Sequence, residues 1–169
     1  ASGNWSTASA DYSTAMGSGT TASGDIATAM GSQTTASGNY STAMGSQTTA
    51  SGNYSTASGN WSTASADYST AMGSATTASG AIATAMGSQT TASDYASVVI
   101  GQYNSSGSSV TNNATSFSTS NTAFVIGNGA DDSNKSDAFK VMFNGDTTVS
   151  NDLTAVSYTH LRAHETNVD

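Results

Sequence analysis

Alanine returns at every seventh residue from Ala1 to Ala92 without a miss, and threonine stands before it from Thr7 to Thr91. Two residues after each of these alanines comes glycine, except at Ala10, Ala66 and Asp94. A period held this strictly marks a repeat architecture, and it has to be read before any other property. A second period lies above the first. The residue after the alanine is Met at 16, 30, 44, 72 and 86, Ile at 100, and Ser in the heptads between. The true unit is therefore fourteen residues, TAMGSQTTASGNYS, as in 28–41 and 42–55, with one fault where Ser58 takes a Met position. At an offset of 56, residues 57–93 repeat 1–37 with only Gly19/Ala75 and Asp25/Ala81 differing.

A heptad suggests a coiled coil, but the second core position would be Gly or Ser. Each glycine costs a helix about 1 kcal/mol relative to alanine. Collagen needs glycine every third residue, and here it comes every seventh. A β-solenoid satisfies the pattern. A short strand such as Ser13-Thr14-Ala15-Met16 is followed by a turn at Gly17-Ser18-Gly19, where glycine permits positive φ. Two strands and two turns then make one coil. Bulky aliphatic residues are too few for an ordinary globular core, with Ser, Thr, Ala, Gly and Asn dominating.

Side chains alternate across a strand, which assigns the faces. If Ala15 points inward, Thr14 and Met16 point out; on the opposite strand Ala22 points in, and Thr21 and Ser23 point out. The interior is alanine-thin. One outer sheet carries a stripe of Met16, Met30, Met44, Met72, Met86 and Ile100, and the other carries hydroxyls. An apolar stripe left in water marks an interface, so these six residues are expected to join copies of the chain. The remaining large residues, Trp5, Tyr12, Ile26, Tyr40, Tyr54, Trp61, Tyr68 and Ile82, all stand four after an alanine. They are expected in one column along an edge of the roll, either stapling turns and filling the groove between chains or contacting a protein or glycan. Trp5, Tyr12, Tyr40, Tyr54, Trp61 and Tyr68 are the candidate ligand contacts, because Tyr and Trp are enriched in binding surfaces.

The phrase STAMGSQTTASGNYSTAMG, with Ser97-Val98-Val99-Ile100-Gly101 close to SVAIG, resembles the YadA-like head of trimeric autotransporter adhesins over residues 1–104. That resemblance implies a left-handed parallel β-roll, three chains packed side by side, and display on a bacterial surface. Met stands where the family usually has Ile or Leu, and no coiled-coil stalk or membrane anchor is present in this stretch. The chain begins at Ala and reads as a piece of a longer protein.

After Gln102 the period stops. Residues 105–122 read as a polar linker or neck. Residues 123–155 read as a small β segment, with strands at Ala123–Ile126, Ala138–Phe143 and Thr147–Val149 and turns at Gly127-Asn128-Gly129 and Asn144-Gly145-Asp146. This segment resembles the shaft pieces that follow such heads in bacterial fibres and phage-tail-like proteins. Residues 156–169, VSYTHLRAHETNVD, differ in style from all that precedes. They are similar to the peptide produced when sequencing-adapter DNA is read through, and are set aside as a non-native tail.

The charge is −8 at neutral pH, and residues 1–104 contain four Asp and no Lys or Arg. That disfavours nucleic acid and anionic lipid, which both ask for a cationic footprint. No run is long and apolar enough to span a bilayer, so direct membrane insertion of this piece is not expected. There is no Cys, hence no disulfide framework. His160, His164 and Glu165 have helical metal-site spacing but lie in the doubtful tail. Asp131, Asp132, Asn134 and Asp137 offer calcium oxygens without EF-hand spacing, and a solvated turn is the simpler reading. Asn-x-Ser/Thr sites follow from composition alone. No G-x-S-x-G elbow or phosphate loop occurs. No catalytic, cofactor or metal residues are therefore assigned.

The expected function is non-enzymatic, multivalent adhesion at a bacterial cell surface, to matrix protein, glycan or receptor. A phage or phage-tail-like receptor-binding fibre shares the architecture. Ice binding through the Thr column is a third class. The tail reading has a direct test: deletion of 156–169 is expected to leave the melting temperature unchanged, and a fall of several degrees would show that the tail packs.

Overall fold

The computed structural model describes residues 1–151, and every regular element among them is a β-strand. Seven two-residue strands, each Thr-Ala, alternate with seven five-residue strands. The short ones are β1 (Thr7–Ala8), β3 (Thr21–Ala22), β5 (Thr35–Ala36), β7 (Thr49–Ala50), β9 (Thr63–Ala64), β11 (Thr77–Ala78) and β13 (Thr91–Ala92). The long ones are β2 (Thr14–Ser18), β4 (Thr28–Ser32), β6 (Thr42–Ser46), β8 (Thr56–Asn60), β10 (Thr70–Ser74), β12 (Thr84–Ser88) and β14 (Val98–Gln102). Short strands pair only with short and long only with long, so two sheets stack the coils of one solenoid. Pairing is parallel and in register at the fourteen-residue step, with Thr28 against Thr42, Ala29 against Ala43 and Met30 against Met44. Seven coils at about 4.8 Å each make a rod of roughly 34 Å.

The faces follow the alternation. Ala15, Ala22, Ala29, Ala36 and their counterparts through Ala92 are wholly buried between the sheets. Two residues before each alanine the alternation turns inward again, and that position is a hydroxyl in most coils. Thr20, Thr34, Thr48, Ser62, Thr76 and Thr90 form one buried column, and Ser41, Ser55, Ser69 and Ser97 form another with Ala27 and Ala83. The interior is thus half alanine and half hydroxyl, a point that attention to alanine alone passes over. Some hydroxyls bond along the column, as Thr76 Oγ1 does to Ser62 Oγ at 2.9 Å. The hydroxyls of Thr34, Ser41, Thr48, Ser55 and Thr90 have no partner among the described residues.

The recurring glycine opens the turn on one edge only, at Gly24, Gly38, Gly52 and Gly80; in the Met-parity heptads from Gly17 on it lies within the strand. Strand β2 runs through Gly17 to Ser18, and Gly17 has φ 132° inside it. A Cβ there would lie 1.9 Å from the carbonyl oxygen of Gly31 in the next coil. Glycine is needed where one backbone rests on another. The left-handed turn residue is instead the one four after alanine, and it is mostly not glycine: Gln33, Tyr40 and Ile82 have φ of 55°, 59° and 63°. On one edge these turns close with a hydrogen bond, as from Ser41 N–H to the Gly38 carbonyl at 3.2 Å.

Past β14 the long sheet continues through β15 (Thr122–Asn128), β16 (Asp137–Met142) and β17 (Thr147–Val149). Strand β15 pairs with β14 in parallel, Val99 against Val125 and Ile100 against Ile126, and then the direction alternates. The three expected strands are present, but the first runs on through Gly127 to Asn128. Val99 and Val125, both fully buried, replace alanine at the end of the inner column.

The expected linker at 105–122 is a lid on the last coil. Its side chains and carbonyls supply what a further coil would have supplied. Asn104, almost wholly buried, receives Thr91 N–H on Oδ1 at 2.8 Å and donates Nδ2 to the Thr91 carbonyl at 2.9 Å, standing in for the next short strand. Ser93 N–H donates to the Gly107 carbonyl. The buried Asp94 carboxylate accepts from Thr111 N–H at 2.6 Å and Thr122 N–H at 2.7 Å. A stretch rich in Ser and Asn looks like linker by composition; here polarity serves a sheet end whose backbone groups need partners.

At one of the two differences between the duplicated blocks, Asp25 and Ala81, the backbone N–H also finds a different partner. The N–H groups of Asp25, Asn39 and Asn53 donate to the side-chain oxygens of Asn39, Asn53 and Asp67 one coil on. At Ala81 that ladder has ended, and the N–H donates to the lid carbonyl of Ala114 at 2.8 Å. The tail 156–169, including His160 and His164, and residues 152–155 of the expected shaft-like segment lie outside the described residues.

Asp94→Ala removes two charge-assisted hydrogen bonds and leaves the buried N–H of Thr122 unpaired, a cost of about 3 kcal/mol. Ser55→Ala removes a partnerless hydroxyl from a column where Ala27 and Ala83 already stand. Thermal unfolding is expected to show a clear fall for the first and no fall for the second.

Candidate functional site

The outer face of the long sheet is the apolar one. Register places Met16, Met30, Met44, Ser58, Met72, Met86 and Ile100 in one column, and Ile126 extends it. Met16 and Met72 are exposed, and the others are half-buried by their column neighbours. The adjacent Thr column turns apolar at Val98 and Phe124, and Phe124 meets Phe139 edge-on at 6.1 Å. The six residues expected as interface therefore share one outward face. The short sheet presents Thr and Ser columns outward, with the threonines from Thr21 onward half-buried.

The large turn residues do not form one column. Ile26, Tyr40, Tyr54, Tyr68 and Ile82 each donate N–H to a carbonyl of the preceding coil on the edge after the short strands, continuing from Tyr12. Trp61 donates to the Ser46 carbonyl on the opposite edge, in the column of Trp5, Gly19, Gln33, Gln47, Ala75 and Gln89. The heptad hides this because it makes both edges look alike; only the fourteen-residue period separates them. Both tryptophans belong to Met-parity heptads.

The tyrosine edge is a stack. Tyr40 and Tyr54 lie 4.8 Å apart with planes 3° from parallel, and Tyr54 and Tyr68 lie 4.9 Å apart at 1°. Stacking consumes the ring faces and leaves ring edges and phenol hydroxyls toward solvent. The stack also offsets left-handed backbone at each tyrosine, a conformation that costs roughly 1–2 kcal/mol per non-glycine residue. On the tryptophan edge, no ring stacks on Trp5 or Trp61 among the described residues, and they are 82% and 58% exposed.

The acidic turn is spent locally. Asp131 Oδ1 accepts from the N–H groups of Ser133 and Asn134 and from Asn134 Nδ2. The Asn134 carboxamide, then the Ser133 N–H, hold the Asp131 carboxyl below its ordinary range. Asp137 instead accepts from Ser105 and Ser106, and Asp132 pairs with Lys135 at 3.6 Å. These oxygens serve separate partners and do not form a shared cage. A polar groove of about 230 Å³ beside them is lined by Ser105, Ser106, Lys135 and Lys140.

Residues 1–20, 22–48, 50–76 and 78–104 each match a two-copy unit of the YadA head domain repeat. This chain belongs to the YadA head family. Each YadA head unit spans two coils, and the last match ends at Asn104, the residue whose amide closes the short sheet. The YadA head is an adhesin module of surface-exposed trimeric autotransporters, and its family is not one of enzymes. No curated protein matches the chain.

The stack can be tested by stability. Tyr54→Ser breaks two stacked contacts of this YadA head at about 0.5–1.5 kcal/mol each, whereas Tyr12, 88% exposed, has no stacked partner among the described residues. Denaturant titration is expected to register the first change and not Tyr12→Ser.

Proposed function

We propose that this chain is part of the head of a homotrimeric adhesin displayed outside a bacterial cell, a left-handed roll holding matrix proteins, glycans or cell-surface receptors through many weak contacts. The observation that carries the reading is the methionine column. An apolar column from Met16 to Ile126, broken only at Ser58, runs up the outer face of the long sheet between a Thr and a Ser column, and the opposite face carries hydroxyls alone. Covering each methionine contributes roughly 1.5–3 kcal/mol, and three rolls laid side by side would cover the column. Met30, Met44, Met86 and Ile100 would lie at the centre of that interface, with Met16 and Met72 completing it. The residues beyond β14, whose strands extend the same sheet, would pass the trimer on to a shaft.

Adhesion then rests on repetition. Three chains and several coils present the same edge residues again and again, so avidity exceeds single-site affinity by orders of magnitude. The described chemistry favours this reading over catalysis, because Asp67, Asp94, Asp131 and Asp137 spend their carboxylates on the coil ladder, the lid and a turn.

Light scattering of the purified chain is expected to give a trimer. Met30→Asp with Met44→Asp puts unpaired charge into the interface and is expected to dissociate it, while Ser23→Asp with Ser37→Asp on the hydroxyl face leaves it intact. Equal behaviour of the two pairs, or a monomeric wild type, would remove the methionine face from the proposal.

A further inference from the structure

We infer that the tryptophan edge carries two slots, one beside Trp5 and one beside Trp61, each shaped to take the ring of a neutral sugar; the inference rests on the adhesin reading and names its ligand. The two edges of the roll are built on opposite plans. From Ile26 to Ile82 every coil on the tyrosine edge contributes a large residue, and the rings close on one another at 4.8 Å. On the tryptophan edge each Trp is followed one coil later by a residue with almost no side chain, Gly19 after Trp5 and Ala75 after Trp61. One coil further stands a glutamine, Gln33 or Gln89.

The step Trp, small, Gln therefore occurs twice, 56 residues apart. Gly19/Ala75 is one of only two differences between the duplicated blocks, and the side chain stays small on both sides of it. Skipping one side chain leaves roughly 9.6 Å between the Trp rung and the Gln rung, two coil spacings. A ring inserted halfway sits about 4.8 Å from each, the centroid spacing at which Tyr40 and Tyr54 stack. At Gly19 the nearest atoms to an added Cβ all belong to Gln33, with Cγ at 3.7 Å, so the Gln stem floors the slot.

The chemistry around the slots selects the class of ring. An indole face attracts the C–H groups of a pyranose, and carboxamides donate to and accept from its hydroxyls. Asn4 and Asn60, exposed, immediately precede the tryptophans, and Gln33 and Gln89 close the far side. Neither the column of Trp5 to Gln89 nor the adjoining column of Asn4 to Ser88 holds a charged residue. An acidic sugar would find no cation there, and a neutral one needs none. A flat partner stacked on the tyrosine edge would have to displace a ring from its stack; here the place is already open.

The chain contains only two tryptophans, so intrinsic tryptophan emission reports on the slots and nothing else. The test applies the full chain to an array of neutral glycans, sialylated glycans and matrix proteins, then titrates any retained neutral glycan while following that emission. Quenching or a blue shift is expected on titration. Two double variants are compared. Trp5→Ala with Trp61→Ala removes the platforms. Gly19→Tyr with Ala75→Tyr keeps them and fills the slots, with tyrosine at a left-handed position it already occupies at Tyr40 and Tyr54. Both are expected to lower neutral-glycan retention at least tenfold, with melting temperature and oligomeric state retained in the filled variant. Undiminished retention by the filled variant, unchanged emission, or retention on sialylated glycans alone would overturn the inference. Retention on matrix protein with none on neutral glycan would sink the slots and leave the adhesin standing, whereas retention nowhere would sink both.

Discussion

The carbonyl of Gly31 occupies the place where a side chain on Gly17 would begin, and the same overlap recurs along the column from Gly3 to Gly87. Each coil can lie on the next only because that atom is missing. The backbone hydrogen bonds of both sheets depend on this approach, with Thr21 N–H reaching the Thr34 carbonyl at 2.8 Å and Gln33 N–H reaching back to Ser18 at 2.8 Å. The same approach sets the 4.8 Å ring spacing of the tyrosine stack. Register follows as well: like residues face like residues in every pair of coils, so a favourable neighbour is repeated along the rod and so is an unfavourable one.

That repetition explains how so thin an interior holds. Alanine contributes little burial, and several inner hydroxyls lack partners, so the core adds less than a globular one of equal length. The stability comes instead from ladders, of backbone hydrogen bonds, of Asx side chains at Asn39, Asn53 and Asp67, and of stacked rings. Large apolar side chains are displaced outward to the methionine face. A chain with its bulk on the outside has reason to find a partner.

Period, strand positions and inward alanine were all legible because each depends on one residue type at a fixed step. The glycine was legible as a necessity but not as to cause, since a turn and a backbone crossing both ask for the smallest residue; only the position of Gly17 within β2 separates them. The inner hydroxyls at Thr20 and Ser41 follow from the same alternation that placed alanine, one step further back along the strand. The lid was hidden because Asn104 and Asp94 act through partners distant in sequence, up to 28 residues for Asp94 and Thr122. The two edges were hidden by the heptad itself, which gives Tyr40 and Trp61 the same local context and opposite sides.

The lid has a consequence for inheritance. Its contacts fall on the last coils alone, at Ala81, Thr91, Ser93, Asp94 and Tyr95, and nothing upstream distinguishes one coil from another in its backbone demands. Recombination between near-identical blocks such as 1–37 and 57–93 can add or delete whole coils without touching the closed end. Between these two blocks the step is four coils, so rod length can change by whole coils across generations while the lid that completes the short sheet's last hydrogen bonds stays fixed. Selection can then act on reach separately from fold.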